Sequence, residues 1–144
     1  MSHFKLQSLK VFIPAKNFDE SLQFYREIGF ELVWESPDLA LFQHCGQQFF
    51  LQNFYVKELA ENLMMHVTVD SVESCFKVFN EKVKDLAGKI TPPKEEPWGQ
   101  KVSYLTDPSG VLWHLAENLH RVGGDLTAPV LSHHRTYLRI RRFQ

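Results

Sequence analysis

The stretch TDPSGVLWHLAEN, residues 106–118, combines a tight turn with a strand, and the rest of the chain is interpreted around it. Pro108 and Gly110 occupy the second and fourth positions of DPSG, which is typical of a type I turn. The run that follows is mostly apolar but contains one imidazole, His114. The sequence therefore predicts a strand that carries a histidine among apolar neighbours.

The first part of the chain predicts a strand, a helix and three further strands. SLKVFIPA, residues 8–15, is rich in β-branched and aromatic residues and predicts a strand. NFDESLQFYREIG predicts a helix, since Asn17 can cap its first turn and Gly29 supplies a stop. FELVWES, LALFQH and QQFFLQNF follow as short β-rich runs, which favour an antiparallel meander.

The same order recurs after the polar linker YVKELAEN. MMHVTVD predicts a strand, and SVESCFKVFNEKVKDLAG predicts a helix capped by Ser71. A weak strand near residues 89–91, the loop PPKEEPWG, the strand KVSYLT and the strand after DPSG complete this unit. An offset of 54 residues relates the apolar helix positions Phe18/Val72, Leu22/Phe76 and Tyr25/Phe79.

We therefore expect an α+β fold made of two βαβββ modules, at about residues 6–55 and 63–118. Each module should form a curved sheet with one helix on its convex side. Two such sheets side by side leave a concave cup, and small ligands usually bind in clefts of this kind.

The composition predicts a single soluble domain. The chain has 144 residues, of which 44% are hydrophobic, and a chain of this length usually forms one domain. No run approaches the roughly 20 apolar residues that a membrane span needs. Cys45 and Cys75 lack metal-type spacing, so we expect reduced thiols. These features favour a cytoplasmic protein that does not associate with membranes.

The charge distribution argues against a nucleic-acid partner. Residues 118–144 contain five arginines and one aspartate, so their net charge is +4, and the chain's −1 leaves −5 for residues 1–117. An acidic body mildly favours cationic ligands and lacks the basic patch of a nucleic-acid-binding protein. Residues 119–144 are interpreted as a basic C-terminal extension.

The paired βαβββ plan and the motifs NFDESLQFYREIGFEL, VTVDSVESCF, PWG and YLTDPSGVLWHLAE together resemble the vicinal-oxygen-chelate superfamily. That superfamily includes glyoxalase I, bleomycin-resistance proteins and extradiol dioxygenases, and the resemblance covers about residues 6–118. It implies ligand sites in a cup of curved mixed sheet, which members commonly form by dimerising or by pairing modules, and we expect a homodimer here. In the enzymes of the superfamily, His, Glu or Gln side chains on four strands hold a divalent metal in that cup.

The resemblance places these four metal positions at Lys10, Phe50, Met64 and His114. Only His114 has a side chain that suits such a metal, so we expect no metal here. His66 lies two residues beyond Met64 and should share its face, because strand side chains alternate. A pair of His66 and His114 with Gln52 or Gln48 gives the alternative, one divalent metal at a shifted site.

The face that carries the two histidines is predicted to be apolar. Alternation places on it Phe12, Phe50, Met64, Leu112 and Ala116. Such a lining suits a planar, apolar or cationic ligand, although packing against a partner module would produce the same pattern. For His114 itself, the competing interpretation is a buried imidazole whose hydrogen bonds are satisfied.

Trp98, in the loop EEPWGQ, is predicted to be a mobile aromatic at the rim of the cup. Glu95 and Glu96 flank it and would attract a cation. The competing interpretation is an ordinary aromatic that anchors the loop.

The favoured hypothesis is a metal-independent protein, similar to bleomycin-resistance proteins, that binds a small drug-like, aromatic or cationic molecule. The predicted ligand-binding residues are His114, His66, Phe12, Phe50, Met64 and Trp98. One alternative is a metal-dependent lyase, isomerase or dioxygenase of the same superfamily with a shifted metal site. Another is a non-catalytic interaction module whose cup is filled by its own side chains. Both a pairing of the modules within one chain and a swap between chains are compatible with the sequence.

Overall fold

The computed structural model describes residues 3–119, in which the first module is a four-stranded sheet with one helix. Its strand order is β1-β4-β3-β2, with a parallel β1/β4 pair and antiparallel pairs elsewhere. Its elements are β1 (Phe12–Pro14), α1 (Phe18–Glu27), β2 (Glu31–Glu35), β3 (Leu39–His44) and β4 (Gln47–Gln52).

The second module repeats this plan and adds a strand. A short helix, α2 (Lys57–Ala60), joins the modules. The strand order is β5-β9-β8-β6, and β7 also pairs with β8. The elements of the second module are β5 (Met64–Thr68), α3 (Val72–Val83), β6 (Lys89–Ile90), β7 (Lys94–Glu96), β8 (Gln100–Thr106) and β9 (Leu112–Asn118). The prediction of an α+β fold built from two βαβββ modules is confirmed.

Three local predictions are wrong. The strand predicted over residues 8–15 is only three residues long, Phe12–Pro14, and its ladder to β4 begins with the pair Phe12 and Phe50. The linker YVKELAEN contains α2, and the loop PPKEEPWG contains β7. β7 has no apolar run, so only its ladder to β8 identifies it. The predicted extension, residues 119–144, lies outside the described residues except for Leu119.

The two long helices begin in the same way. The Asn17 side chain accepts a hydrogen bond from the backbone N–H of Glu20 at 3.1 Å, and the Ser71 hydroxyl accepts one from Ser74 at 3.3 Å. Both caps satisfy a backbone donor that the first helical turn leaves unpaired. The helices start at Phe18 and Val72, which confirms the 54-residue offset.

The two modules share one hydrophobic core. Trp113 of β9 contacts Tyr25, Phe30 and Phe49 of the first module, with ring centroids 5.4 to 5.8 Å apart. The sheet faces that carry Phe49 and Trp113 therefore face this common core. Because strand side chains alternate, the faces that carry their neighbours Phe50 and His114 look away from it. We call these the outer faces.

A buried hydrogen-bonded triad locks α1 to the turn before β9. The Tyr25 hydroxyl donates to Asp107 Oδ2 at 2.5 Å and accepts from Trp113 Nε1 at 3.1 Å. Asp107 Oδ1 accepts from the backbone N–H groups of Ser109 and Val111. Burial, followed by the nearby carboxylate of Asp107, raises the pKa of Tyr25 well above its ordinary value, so the hydroxyl retains the proton that it donates.

None of the helices within residues 3–119 could cross a bilayer, since a crossing takes about 20 apolar residues.

Tyr25→Phe should lower the free energy of unfolding by about 2 to 4 kcal/mol, because it leaves the Trp113 N–H and an Asp107 oxygen without a hydrogen-bond partner in the core. Urea denaturation measures the change. Tyr55→Phe, at a half-buried ring beside Lys16, is the control and should stay within about 0.5 kcal/mol of wild type. Equal losses in the two variants would contradict a structural role for the triad.

The buried Asp107 should also give the fold a pH dependence. Burial raises the pKa of this carboxyl above its ordinary 3.8, opposed in part by hydrogen bonds from Tyr25 and backbone N–H groups. The native state therefore holds the proton more tightly than the unfolded chain does. The resulting stability is complete below pH 3.8 and is lost as the pH rises through the raised native pKa.

The free energy of unfolding of wild type, relative to that of Asp107→Asn, should accordingly decrease across this pH window. Urea denaturation of both proteins at a series of pH values measures the difference. A difference that is constant or rises with pH would show that the carboxyl is not destabilised by burial.

Candidate functional site

The outer face of the first sheet presents an aromatic row to solvent. Phe12 stacks on Phe50, with ring centroids 4.9 Å apart and planes 20° from parallel. Phe50 pairs with Leu41 of β3, and Leu41 pairs with Trp34 of β2. Phe12 is 52% exposed and Trp34 is 50% exposed. An apolar row across four strands is a surface that usually contacts a ligand or partner. We call these four residues the aromatic row.

Sequence reasoning missed Trp34 because of a β-bulge. The β2/β3 register shifts between Leu32 and Trp34, which makes Val33 an extra residue. Strict alternation would place Trp34 on the same face as Leu32, toward the core. The bulge instead turns Trp34 to the outer face, beside Leu41. Only the pairing with β3 contains this information.

The outer face of the second sheet has a row of three rings at its centre. His66 of β5 pairs with His114 of β9, and His114 pairs with Tyr104 of β8. The ring centroids are 6.1 Å apart for His66 and His114, and 4.9 Å apart for His114 and Tyr104. Sequence reasoning missed Tyr104. The antiparallel register of the hairpin whose turn is DPSG would have indicated it.

The two rows occupy corresponding places in the two modules. Phe12 and Phe50 are directly paired across the parallel β1/β4 ladder, and His66 and His114 are directly paired across the parallel β5/β9 ladder. The 54-residue offset relates Phe12 to His66. The position of a stacked aromatic pair in the first module is therefore the position of an imidazole pair in the second.

Trp98 is not an exposed aromatic at a rim. It is 6% exposed and belongs to an apolar cluster on the outer face of the second sheet. Its indole N–H donates to Gln100 Oε1 at 3.1 Å, and this bond fixes the ring next to β8. The other members of the cluster are Met64, Val102, Tyr104, Leu112 and Ala116. The prediction of a mobile rim residue is therefore wrong, and the loop-anchor interpretation describes Trp98.

Gln100 organises the polar groups beside this cluster. Besides the Trp98 bond, its Oε1 lies 3.3 Å from His66 Nε2, and its amide nitrogen donates to Asn118 Oδ1 at 2.9 Å. A single amide thus links β5, β8 and β9 with the segment that follows β7. Sequence reasoning missed Gln100, because glutamine is a common residue. The side chains around it also become neighbours only through the order of the strands in the sheet.

The two glutamates beside Trp98 point to different faces. Glu96 is buried and accepts a hydrogen bond from the Tyr104 hydroxyl at 3.1 Å, with Lys94 Nζ 3.5 Å from the same oxygen. Glu95 pairs with Lys101 and lies on the opposite face, since β7 alternates. Only one of the two carboxylates therefore stands on the outer face.

A single chain does not bring the predicted ligand-binding residues together. Phe12 and Phe50 stand on the outer face of the first sheet, whereas Met64, His66, His114 and Trp98 stand on that of the second. Each outer face is turned away from the core that the two sheets share. Within one chain the two groups therefore form two separate surfaces.

The four positions that the resemblance assigned to a metal do not fit one. Lys10 precedes β1, and its ammonium group donates to the Ser8 hydroxyl. Phe50 has no donor atom, and the thioether of Met64 is a poor ligand for the divalent metals that imidazole and carboxylate bind. His114 alone has a suitable ligand atom.

The shifted metal site is not assembled within one chain either. His66 and His114 are neighbours, but Gln48 and Gln52 belong to β4, in the other sheet. Residues 3–119 contain no group of three or more His, Cys, Asp and Glu side chains that could hold a metal ion. Catalytic zinc sites usually use three protein ligands, and the histidine pair supplies two.

Several solved structures share this fold. The bleomycin-binding protein from Streptomyces verticillus, complexed with copper(II)-bleomycin, has a TM-score of 0.68 and 17% identity over 83% of this chain and 100% of its own. An antibiotic-binding protein from a Streptomyces species has a TM-score of 0.66 and 18% identity, covering 81% of this chain and 99% of its own. Lactoylglutathione lyase from Agrobacterium tumefaciens has a TM-score of 0.58 and 17% identity, covering 78% and 95%.

At these identities the likeness establishes the fold and leaves the function open. No curated protein matches the chain by sequence. The sequence profile of one superfamily matches residues 5–115, which is most of the chain and covers the first module and nearly all of the second. The chain therefore belongs to the Glyoxalase/Bleomycin resistance protein/Dioxygenase superfamily.

Proposed function

We propose that this protein binds a small planar organic molecule, without a metal, in a cup that two copies of the chain form together. The first sheet of one copy supplies the aromatic row, and the second sheet of the other supplies the face with His66, His114 and Tyr104. The observation that carries the proposal is the stacked pair Phe12–Phe50, with Phe12 half exposed, which occupies the position of the imidazole pair in the other module.

The exposed aromatic row supports assembly as a homodimer. Burial of apolar surface contributes roughly 25 cal/mol per Å², and an aromatic side chain can bury about 150–250 Å². Phe12 and Trp34 expose about half of their surfaces in the single chain, so a partner gains by covering them. A two-fold axis that sets the first sheet of one copy against the second sheet of the other forms two identical cups.

The chemistry of the two outer faces supports a planar ligand that is neutral or cationic. The aromatic row offers stacking surface, and aromatic faces also attract cations. On the second sheet, the buried carboxylate of Glu96 accepts a hydrogen bond from Tyr104 and is paired with Lys94, so this side of the face suits a neutral ligand. Gln100 and His66 add hydrogen-bonding groups that can orient a ligand. Two proteins of the same fold, one that binds bleomycin and one that binds an antibiotic, agree with this ligand class.

Ligand access to the second sheet requires a local opening. His114 is 4% exposed and Trp98 is 6% exposed, whereas Phe12 on the first sheet is half exposed.

Titration of tryptophan fluorescence with planar cationic compounds, bleomycin among them, separates an accessible face from one that its own side chains fill. A permanently filled face gives no saturable response, and that result would contradict the proposed function.

Phe12→Ala should weaken binding of any compound that gives a saturable response by roughly tenfold, since it removes one ring of the stacked pair. Fluorescence titration and calorimetry give the dissociation constant. Leu59→Ala, at an exposed apolar position on α2, is the control and should bind as wild type does. An equal effect of the two substitutions would remove the aromatic row from the site.

A mixing experiment tests whether the cup spans two chains. Phe12→Ala damages only the first-sheet half, and His66→Ala damages only the second-sheet half. Dimers exchanged between equal amounts of the two variants should include hetero-dimers with one intact cup and one doubly damaged cup. About a quarter of all sites should then regain wild-type affinity. Absence of any recovery after complete exchange would place the site within one chain.

Protein purified without chelators should contain far less than one equivalent of Zn, Ni, Fe or Mn, because within residues 3–119 the pair of His66 and His114 is not joined by a third His, Cys, Asp or Glu side chain that could complete a metal site. Elemental analysis followed by metal titration measures this. Stoichiometric, tight binding would contradict the metal-independent proposal and favour a lyase, isomerase or dioxygenase. His66→Ala would then have to abolish both the metal uptake and any turnover.

A further inference from the structure

A pocket of about 340 Å³ lies between the two modules, on the side of the second sheet opposite to His114. Its floor comprises Trp113, Leu105 and Leu115, which are the core-facing residues of β8 and β9. Phe30, immediately before β2, closes one side, and its ring centroid is 5.6 Å from that of Trp113. The pocket therefore penetrates the core that joins the modules.

The pocket has a buried floor and an open mouth. Trp113 is 3% exposed, whereas Val78 of α3 is 50% exposed and His44 at the end of β3 is exposed. Both Val78 and His44 line the pocket. A molecule can thus enter between α3 and the β3–β4 turn and reach an apolar interior.

The lining excludes a charged ligand. Of the residues that line the pocket, none is Lys, Arg, Asp or Glu. The polar side chains are those of His44, Ser74 and Cys75, while the Ser74 hydroxyl already accepts a hydrogen bond from Ser71. Burial, with a smaller contribution from Glu117, raises the pKa of the Cys75 thiol, so the thiol stays neutral at neutral pH. Burying an unpaired charge among such groups is costly.

We propose that this pocket is a second ligand site, distinct from the cup, that takes a neutral bicyclic aromatic molecule. An apolar cavity of about 150 Å³ holds one benzene ring, so about 340 Å³ accommodates two fused rings. The Phe30 and Trp113 planes are inclined by 48°, which offers an incoming ring both face and edge contacts. The His44 ring at the mouth can exchange a hydrogen bond with a polar substituent of the ligand.

The site does not depend on the proposed function of the cup. Trp113 and His114 are consecutive in β9 and point to opposite sides of the sheet. A ligand over Trp113 therefore touches none of the side chains of the outer faces. The two sites can be occupied or damaged separately.

The two cysteines provide a built-in test. Cys75 lines the pocket, whereas Cys45 is exposed at the β3–β4 turn and does not line it. With indole as the probe, alkylation by iodoacetamide is followed at each cysteine by peptide mass spectrometry. At ten times its dissociation constant, indole should slow alkylation of Cys75 by about tenfold and leave Cys45 unchanged. Unchanged Cys75 kinetics, or equal slowing at both cysteines, would overturn the proposal.

A pair of matched variants locates the protection. Val78→Trp places an indole at the mouth and should abolish protection of Cys75, while Val33→Trp introduces the same side chain at a similarly exposed valine outside the pocket and should preserve it. Phe12→Ala, which damages the cup, should also preserve it. Protection that survives Val78→Trp would overturn the proposal. A rate of Cys75 alkylation that falls with rising protein concentration in the absence of indole would also overturn it, since a second copy would then fill the pocket.

Discussion

The hydrogen bonds that join Tyr25, Asp107 and Trp113 determine how the two modules meet. Tyr25 belongs to the first helix, Asp107 to the turn of the second module, and Trp113 to the strand after that turn. Each partner is buried, so loss of one leaves the others unpaired in an apolar environment. The triad thereby holds the core-facing sides of the two sheets together, so that both outer faces point away from the shared core; Phe12 and Trp34 on the first are half exposed, whereas His114 on the second is buried. The directions of the two outer faces follow from this arrangement.

Local signals were sufficient to predict both long helices, most of the strands and their repetition. Asn17 and Ser71 mark the helix starts, and alternation from Met64 places His66 on the correct face. The unpredicted features depend on contacts between distant segments. The bulge at Val33 redirects Trp34, the Gln100 amide holds Trp98, and β7 exists through its ladder to β8. The residue pattern within one segment does not predict these pairings, because the pairings arise only when strands from different parts of the chain become neighbours.

The two faces of strand β9 line two different surfaces. Its even-numbered residues, including Leu112 and His114, face outward, while Trp113 and Leu115 form the floor of the pocket between the modules. Two surfaces of different chemistry thus share one backbone segment, separated by the thickness of a sheet. A one-residue insertion or deletion in β9 would exchange the two sets and place an imidazole in the core.

The opposite directions of the two outer faces also have a thermodynamic consequence. A ligand that contacts both the aromatic row and the row with His66 and His114 finds only half of its contacts on one chain. Its binding and the association of two chains are then linked equilibria, and each promotes the other. Apparent affinity would rise with protein concentration, so dilution alone would release the bound molecule. Cellular abundance of the chain, and not only the chemistry of its side chains, would set how much ligand is retained.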